Sequence, residues 1–376
     1  MEFIINHETF NQAISEVSKA VSSKTPFPIL TGIKIIADTN QLTVIGSNSD
    51  IIIEKIIPLE YDGVKVLEVL NRGSVVISAK YLSEIAKKLP NDIHIKGNEK
   101  QIITIQSDDI VTTLHGFNSE EYPMLPKMVE TPSTRMAIHD LIELIKQTVF
   151  ATSKNETRPV LTGVHMSFQE NKLTCAATNS HRLALSEITI ESNVNGSVII
   201  PSSALHELLK LMNPNQGEIE IYISTSYIVF KSSSMTLFSR LIEGNYPNVV
   251  GLIPHESETA ITMNTKQLLK GIDRACLFAS DWKNNNVMLE MKDASKLKIS
   301  SNSTEIGRIE EYQPILSSVG CNELSISLDG NFLMDALKVI KEEEVKISFG
   351  GSMRPVLIEP VNNSSQLQLI SPVRTY

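Results

Sequence analysis

Ser180 and His181 adjoin in the run AATNSHRLAL, and a hydroxyl beside an imidazole is the pairing that nucleophilic catalysis uses. On a strand, neighbouring side chains point to opposite faces, which would part the nucleophile from its base. His181 therefore reads first as a structural or surface residue. His206 and Glu207 open like the metal-binding helix H-E-x-x-H, but the chain continues Leu208, Leu209, Lys210 and the second ligand is missing. Gly350 and Gly351 are a lone pair suited to a tight turn; no phosphate-cradling G-x-x-x-x-G-K-[ST], dinucleotide G-x-G-x-x-G or nucleophile-elbow G-x-S-x-G occurs. Cys175, Cys276 and Cys321 are scattered and form no C-x-x-C, so neither a disulfide framework nor a zinc ribbon is supported. The motifs thus point to a protein with no catalytic residue, no metal and no cofactor.

Charge discriminates further. The 376 residues carry 34 Lys and Arg against 43 Asp and Glu, a formal net charge of -9. Such a balance excludes a protein that grips nucleic acid with its whole surface, because phosphates are neutralised by Lys and Arg. The six segments that read as helices (8–20, 77–89, 139–151, 200–212, 265–279 and 328–341) hold 11 basic and 9 acidic residues, so they carry +2 and the remainder -11. Within them Lys266, Lys270 and Arg274 recur at i, i+4 and i+8, and Lys80 and Lys87 stand seven apart. On these counts alone a solvated helix face is the simpler explanation. No run approaches the ~18 consecutive apolar residues of a membrane helix, and MEFIINHETF lacks the basic and apolar regions of a secretory signal. A soluble, cytoplasmic protein with no membrane partner is expected.

What must position these residues is a threefold repeat of α+β units. PFPILTGIKI (26–35) echoes TRPVLTGVHM (157–166), with Leu30 and Leu161 separated by 131 residues. LTVIGSNSD, LTCAATNSH and LKISSNSTE follow in turn, each a strand-like run ending in a polar loop. Upstream of each lies a helical segment; in the first, Phe10, Ala13, Ile14 and Val17 fall at i, i+3, i+4 and i+7. A second helix recurs in 77–89, 200–212 and 328–340, aligning Leu82, Leu205 and Leu333. The rest alternates as short, mostly antiparallel strands, which makes each unit two helices on sheet. Pro-containing segments at 118–127 and 243–254 suggest domains of 1–127, 128–253 and 254–376.

The pair PILTG and PVLTG, AATNSHRLAL, RLIEGNYP (240–247), SSNSTEIG (300–307), MRPVLIEP and the C-terminal SPVRTY together resemble the bacterial DNA polymerase III β subunit, the replicative sliding clamp. The resemblance runs in order over essentially the whole chain. It implies a head-to-tail homodimer that closes as a ring of six similar domains, with helices lining a hole for double-stranded DNA held without regard to sequence. It further implies a processivity factor, with no exonuclease or other catalysis of its own, that tethers the DNA polymerase III catalytic subunit and other clamp-motif proteins and is opened by a clamp-loader complex.

In this family partner peptides occupy an apolar groove. The matching positions here are Leu161, Thr178, His181, Arg182, Leu183, Pro247 and Leu252, then Met353, Arg354, Pro355, Ile370, Ser371, Pro372, Val373 and Arg374. Leu, Met, Val and Pro would supply subsites for an extended peptide; core packing is the alternative role, for Leu161 and Leu183 above all. Lys24 and Lys80 match DNA-contacting positions, and charge and helix placement add Lys87, Lys88, Arg158, Lys266 and Lys270. Two departures stand out: Asn179 occupies a position usually Asp, and the helix start PSSAL is Ser-rich where basic residues are expected. They raise a competing reading, a divergent or paralogous clamp with a regulatory role; an enzyme built on three α+β units is the alternative from another class.

Overall fold

The structure, a computed structural model, describes residues 1–22, 24–126, 132–192, 194–215, 217–254, 256–279, 285–321 and 323–373. The expected boundary at 127/128 and the groove candidate Arg374 lie outside these residues. Six α-helices occur among the described residues, two per repeat: α1 (His7–Ser18), α2 (Ala79–Ala86), α3 (Ile138–Lys146), α4 (Ser202–Leu211), α5 (Thr265–Cys276) and α6 (Gly330–Lys338). Each first helix follows one strand, and each second helix precedes three.

The helices begin where side chains take up free amide hydrogens. Asn6 Oδ1 accepts from the Thr9 amide at 3.1 Å and Asn264 Oδ1 from Gln267 at 3.0 Å, at matching positions of repeats one and three. Asp329 caps α6 through the amides of Asn331 and Phe332. The buried face of α1 is the expected Phe10, Ala13, Ile14 and Val17. Leu82, Leu205 and Leu333, the aligned column of the second helices, are all at most 1% exposed. Full burial of one such side chain contributes roughly 1.5–3 kcal/mol. The second helices start two residues later than the sequence windows, because Ile77–Ser78, Ile200–Pro201 and Leu328–Asp329 finish the preceding strands.

The described chain forms two compact units, Met1–Ile138 with His206–Leu241 and His139–Leu205 with Ile242–Tyr376. In the first, an eight-stranded antiparallel sheet passes from repeat one into repeat two: Ile51–Pro58 pairs with Met235–Arg240, setting Ile53 opposite Leu237. In the second, a nine-stranded sheet passes from repeat two into repeat three: Arg182–Thr189 pairs with Gln366–Ile370, setting Ala184 opposite Gln368. Both junctions join the same strand of one repeat to the last strand of the next. Two corresponding strands remain as sheet edges, Ile110–His115, which ends repeat one, and Gly307–Pro314 of repeat three.

The sequence echoes fold alike. PILT and PVLT each form a 3-10 turn, in which Thr31 Oγ1 donates to Pro28 O and Thr162 Oγ1 to Pro159 O, both at 2.7 Å. The glycines that follow are required by close approach: a Cβ on Gly32 would lie 2.5 Å from Val76 Cγ1, and one on Gly163 2.6 Å from Ile200 O. Asn48 Oδ1 accepts from the amides of Asp50 and Ile51, Asn179 Oδ1 from His181 and Arg182, and Ser303 Oγ from Glu305 and Ile306. Ser180 and His181 accordingly sit in a turn between strands Lys172–Thr178 and Arg182–Thr189, so the alternation of side chains along a strand does not apply to them.

Candidate functional site

The turn of repeat two is tied from three sides. Thr178 Oγ1 donates to Arg182 O at 2.6 Å, and the Thr178 amide donates to Tyr246 Oη at 3.0 Å. Beyond the turn, the Ser371 amide donates to His181 O at 2.8 Å, which continues the ladder between Arg182 and Ile370. Asn179 performs its two-amide cap with a neutral carbonyl, so the bonds of a carboxylate are kept without its charge. Ser180 is held at φ 76°, a left-handed conformation that costs a side-chain-bearing residue about 1–2 kcal/mol. Tyr246 stacks on His165 at 5.0 Å between ring centroids. Burial pushes the Tyr246 phenol up to about 12 and holds His165 below its ordinary value.

Arg182 is the central charge. Its guanidinium lies 4.4 Å from the Phe332 ring centroid and 5.2 Å from that of Phe150. One amino group donates to Asp335 Oδ2 at 2.7 Å and the other to Phe150 O. The side chain is only 10% exposed, so this charge is desolvated and depends on its partners. Beside it opens a cavity of about 820 Å³. Its wall takes in Leu161, His181, Arg182 and Arg158, with Asp329 contributed by the strand end and Phe332 and Asp335 by α6.

Leu161, His181 and Arg182 of the expected groove set thus line one cavity. Leu183 instead joins a small apolar cluster with Ala176, Val249, Leu357 and Leu369, against which Tyr246 packs. Leu161, Thr178, Leu183 and Ile370 are buried at 5%, 6%, 2% and 1% exposure, so they can form a floor but not a rim. Exposed apolar surface is provided by Leu252 and Met353, with Pro247 and Arg354 also exposed and Pro355 half-buried. Ser371, Pro372 and Val373 are half-buried, and the Val373 amide donates to Ser327 O.

The basic candidates are all exposed. Lys24 lies in the loop before PFPIL, and Lys80 on α2 sits 5.8 Å from the Tyr81 ring. Lys87 and Lys88 share Glu84 at 3.9 and 3.7 Å. Lys266 and Lys270 occupy the outer face of α5, but Arg274, the third of that stripe, is held by both oxygens of Glu311. Arg158 belongs to the cavity wall. Phe150, Tyr246, Phe332 and Asp335 were missed by sequence reasoning, and Arg182 and Asp335 are 153 residues apart, so no local pattern signals the pair.

Three copies of one α+β unit, joined by shared sheets and carrying a cavity beside a braced turn, define a repeat-built binding scaffold. The family models for the DNA polymerase III beta subunit match it in order: the N-terminal domain at residues 1–126, the central domain at 135–248 and the C-terminal domain at 251–374. The chain is 42% identical to the beta sliding clamp of Bacillus subtilis and 41% to that of Halalkalibacterium halodurans, with full coverage of both chains in each comparison. The solved DNA polymerase sliding clamp of Bacillus subtilis superposes with a TM-score of 0.97 at 42% identity, and the DNA polymerase III beta chain of Streptococcus pneumoniae with 0.95 at 34%, each over the full length. The chain belongs to the DNA polymerase III beta subunit family, the bacterial sliding clamps.

Proposed function

We infer that this protein is the processivity factor of a replicative DNA polymerase: a ring around duplex DNA that tethers the polymerase and other partners and catalyses nothing itself. The collinear match of all three family domains carries this reading. The domains are taken as 1–127, 128–253 and 254–376. Closure as a head-to-tail homodimer is supported by the repeat logic of the sheets. Repeat one joins repeat two, and repeat two joins repeat three, through equivalent strands. The same rule leaves Gly307–Pro314 of one copy to receive Ile110–His115 of a second, both being open edges.

The ladders even supply a register. Ile53 pairs with Gly46, Ala184 with Ala177 and Ile309 with Ser301, which makes Ile53, Ala184 and Ile309 equivalent. Leu237 pairs with Phe230, Gln368 with Ile358 and Thr112 with Ile105, which makes Leu237, Gln368 and Thr112 equivalent. Thr112 of one copy therefore belongs opposite Ile309 of the other. Val111, Ile110 and Ile306, exposed by 59%, 45% and 57%, would be covered by that pairing.

Light scattering at several concentrations tests the ring, which requires twice the 41.7 kDa chain mass; a monomer at every concentration would remove it. The DNA contact is assigned to Lys24 and Lys80, with Lys87, Lys88, Arg158, Lys266 and Lys270 in support. Lys24→Ala with Lys80→Ala is expected to flatten the log–log salt dependence of DNA binding by about 2. Partner peptides are assigned to the groove from Leu161 to Arg374 named above. The polymerase, the clamp loader and other clamp-motif proteins are the proposed partners, in the cytoplasm.

A further inference from the structure

The cavity beside Arg182 carries more positive charge than it can use. Its two carboxylates are engaged: Asp335 by the Arg182 guanidinium, and Asp329 by the amides of Asn331 and Phe332. Lys154, Arg158 and Lys338 also line it, all three are exposed, and among the described residues none has a carboxylate at ion-pair distance. Leu161, His181 and Arg182 of the peptide groove assigned above also line it, so the cavity adjoins that groove. At about 820 Å³ it has room for several side chains.

We propose that this cavity is an accessory subsite for carboxylate side chains that flank the groove-binding segment of a partner, with Lys154 and Lys338 as the cations that select them. This rests on the groove reading. The apolar floor would hold the segment through its leucine-like side chains, and the cavity would discriminate among partners by the charge beside that segment. Exposed ion pairs are individually weak, but two carboxylates between two lysines add to an already bound peptide, and their contribution falls as salt rises. Asp329 and Asp335 penalise any acid entering deeper, which confines the preference to the rim that the lysines hold.

The test is a fluorescence anisotropy titration of the full chain with three labelled peptides: an uncharged extended peptide bearing leucine and phenylalanine, and the same peptide with a Glu-Glu pair added at either end. One of the acidic peptides is expected to bind about ten-fold more tightly than the neutral one at low salt. The Lys154→Ala, Lys338→Ala double variant is expected to erase that gain and leave the neutral peptide unaffected. No gain at either end while the neutral peptide binds would overturn this proposal alone. Failure of the neutral peptide to bind would overturn the groove reading and this proposal with it. A double variant that loses affinity for linear duplex DNA yet keeps the acidic gain would assign these lysines to phosphate and overturn the proposal.

Discussion

The junction inside the first compact unit and the one inside the second are built to one plan and filled differently. Where the first has Ile45, Ile52 and Phe238, the second has Ala176, Leu183 and Leu369 at the equivalent ladder positions. Tyr122 closes the first at 4% exposure, with Tyr222 and Tyr227 packed against it, whereas its counterpart Tyr246 is only partly buried. Lys34 lies 5.7 Å from the Tyr122 ring centroid, at the position where His165 stacks on Tyr246. At the start of the strand after the turn, Ile51 stands where the second junction has Arg182. Larger side chains and a buried tyrosine seal the first copy of the scaffold more fully than the second, and a caged cation marks the less filled copy.

The largest effects should come from emptying the sealed junction. Phe238→Ala is expected to cost about 3–5 kcal/mol in urea unfolding, and Leu369→Ala less, about 2–4 kcal/mol, because the smaller side chain leaves a smaller cavity. Equal costs would mean that the second junction is packed as fully as the first. Ala176→Ile copies the sealed junction into the open one. It should weaken peptide binding at least ten-fold while straining the fold by about 1–3 kcal/mol; undiminished binding would show that the floor under Leu183 is not part of the groove.

Asp335→Ala should cost about 1–2 kcal/mol, below the penalty for a fully buried pair because Asp335 itself is 37% exposed. Asp335→Asn should recover part of it through the hydrogen bond to Arg182. The pH dependence separates the junctions next. Burial disfavours the charged imidazole of His165, whose ordinary value is 6.5, so its contribution is complete above that pH and is lost as pH falls below it. His165→Gln should flatten the fall in stability on acidification below that value, and Lys34→Gln should not. Smallest of all, Ser49→Gly and Ser180→Gly, at φ 81° and 76°, should each stabilise by about 1 kcal/mol in thermal unfolding, alike in both junctions because the turn is shared.

Local pattern was enough for the elements. The 3.6-residue period placed the buried face of α1, and the echoes PILTG, PVLTG and SNSD, TNSH, NSTE marked turns that use the same hydrogen bonds. The second helices start later than their sequence windows because Ile77, Ile200 and Leu328, apolar and next to last in their strands, read like the first residue of a helix. The junctions were illegible for a different reason. Ile53 meets Leu237 and Arg182 meets Asp335 only after long loops close, and nothing near either residue encodes its partner. Resemblance named Leu161, His181 and Arg182, which line one cavity, but not Phe150, Phe332 or Asp335, which act on Arg182 from the apolar and acidic sides.

The proposed third junction, between copies, would follow the rule of the other two. In an antiparallel pairing with Thr112 opposite Ile309, Thr113 of one copy falls opposite Arg308 of the other, within the separation of about 4.4–6.8 Å between Cα atoms that a disulfide needs. The measurement is mild oxidation of a Thr113→Cys, Arg308→Cys variant in a Cys321→Ser background, which removes the exposed native thiol. A covalent dimer that forms readily, and that fails to form when the second cysteine is moved to Glu310, is the predicted result. A chain that stays monomeric, or that cross-links equally well through Glu310, would contradict the register and with it the ring built on it.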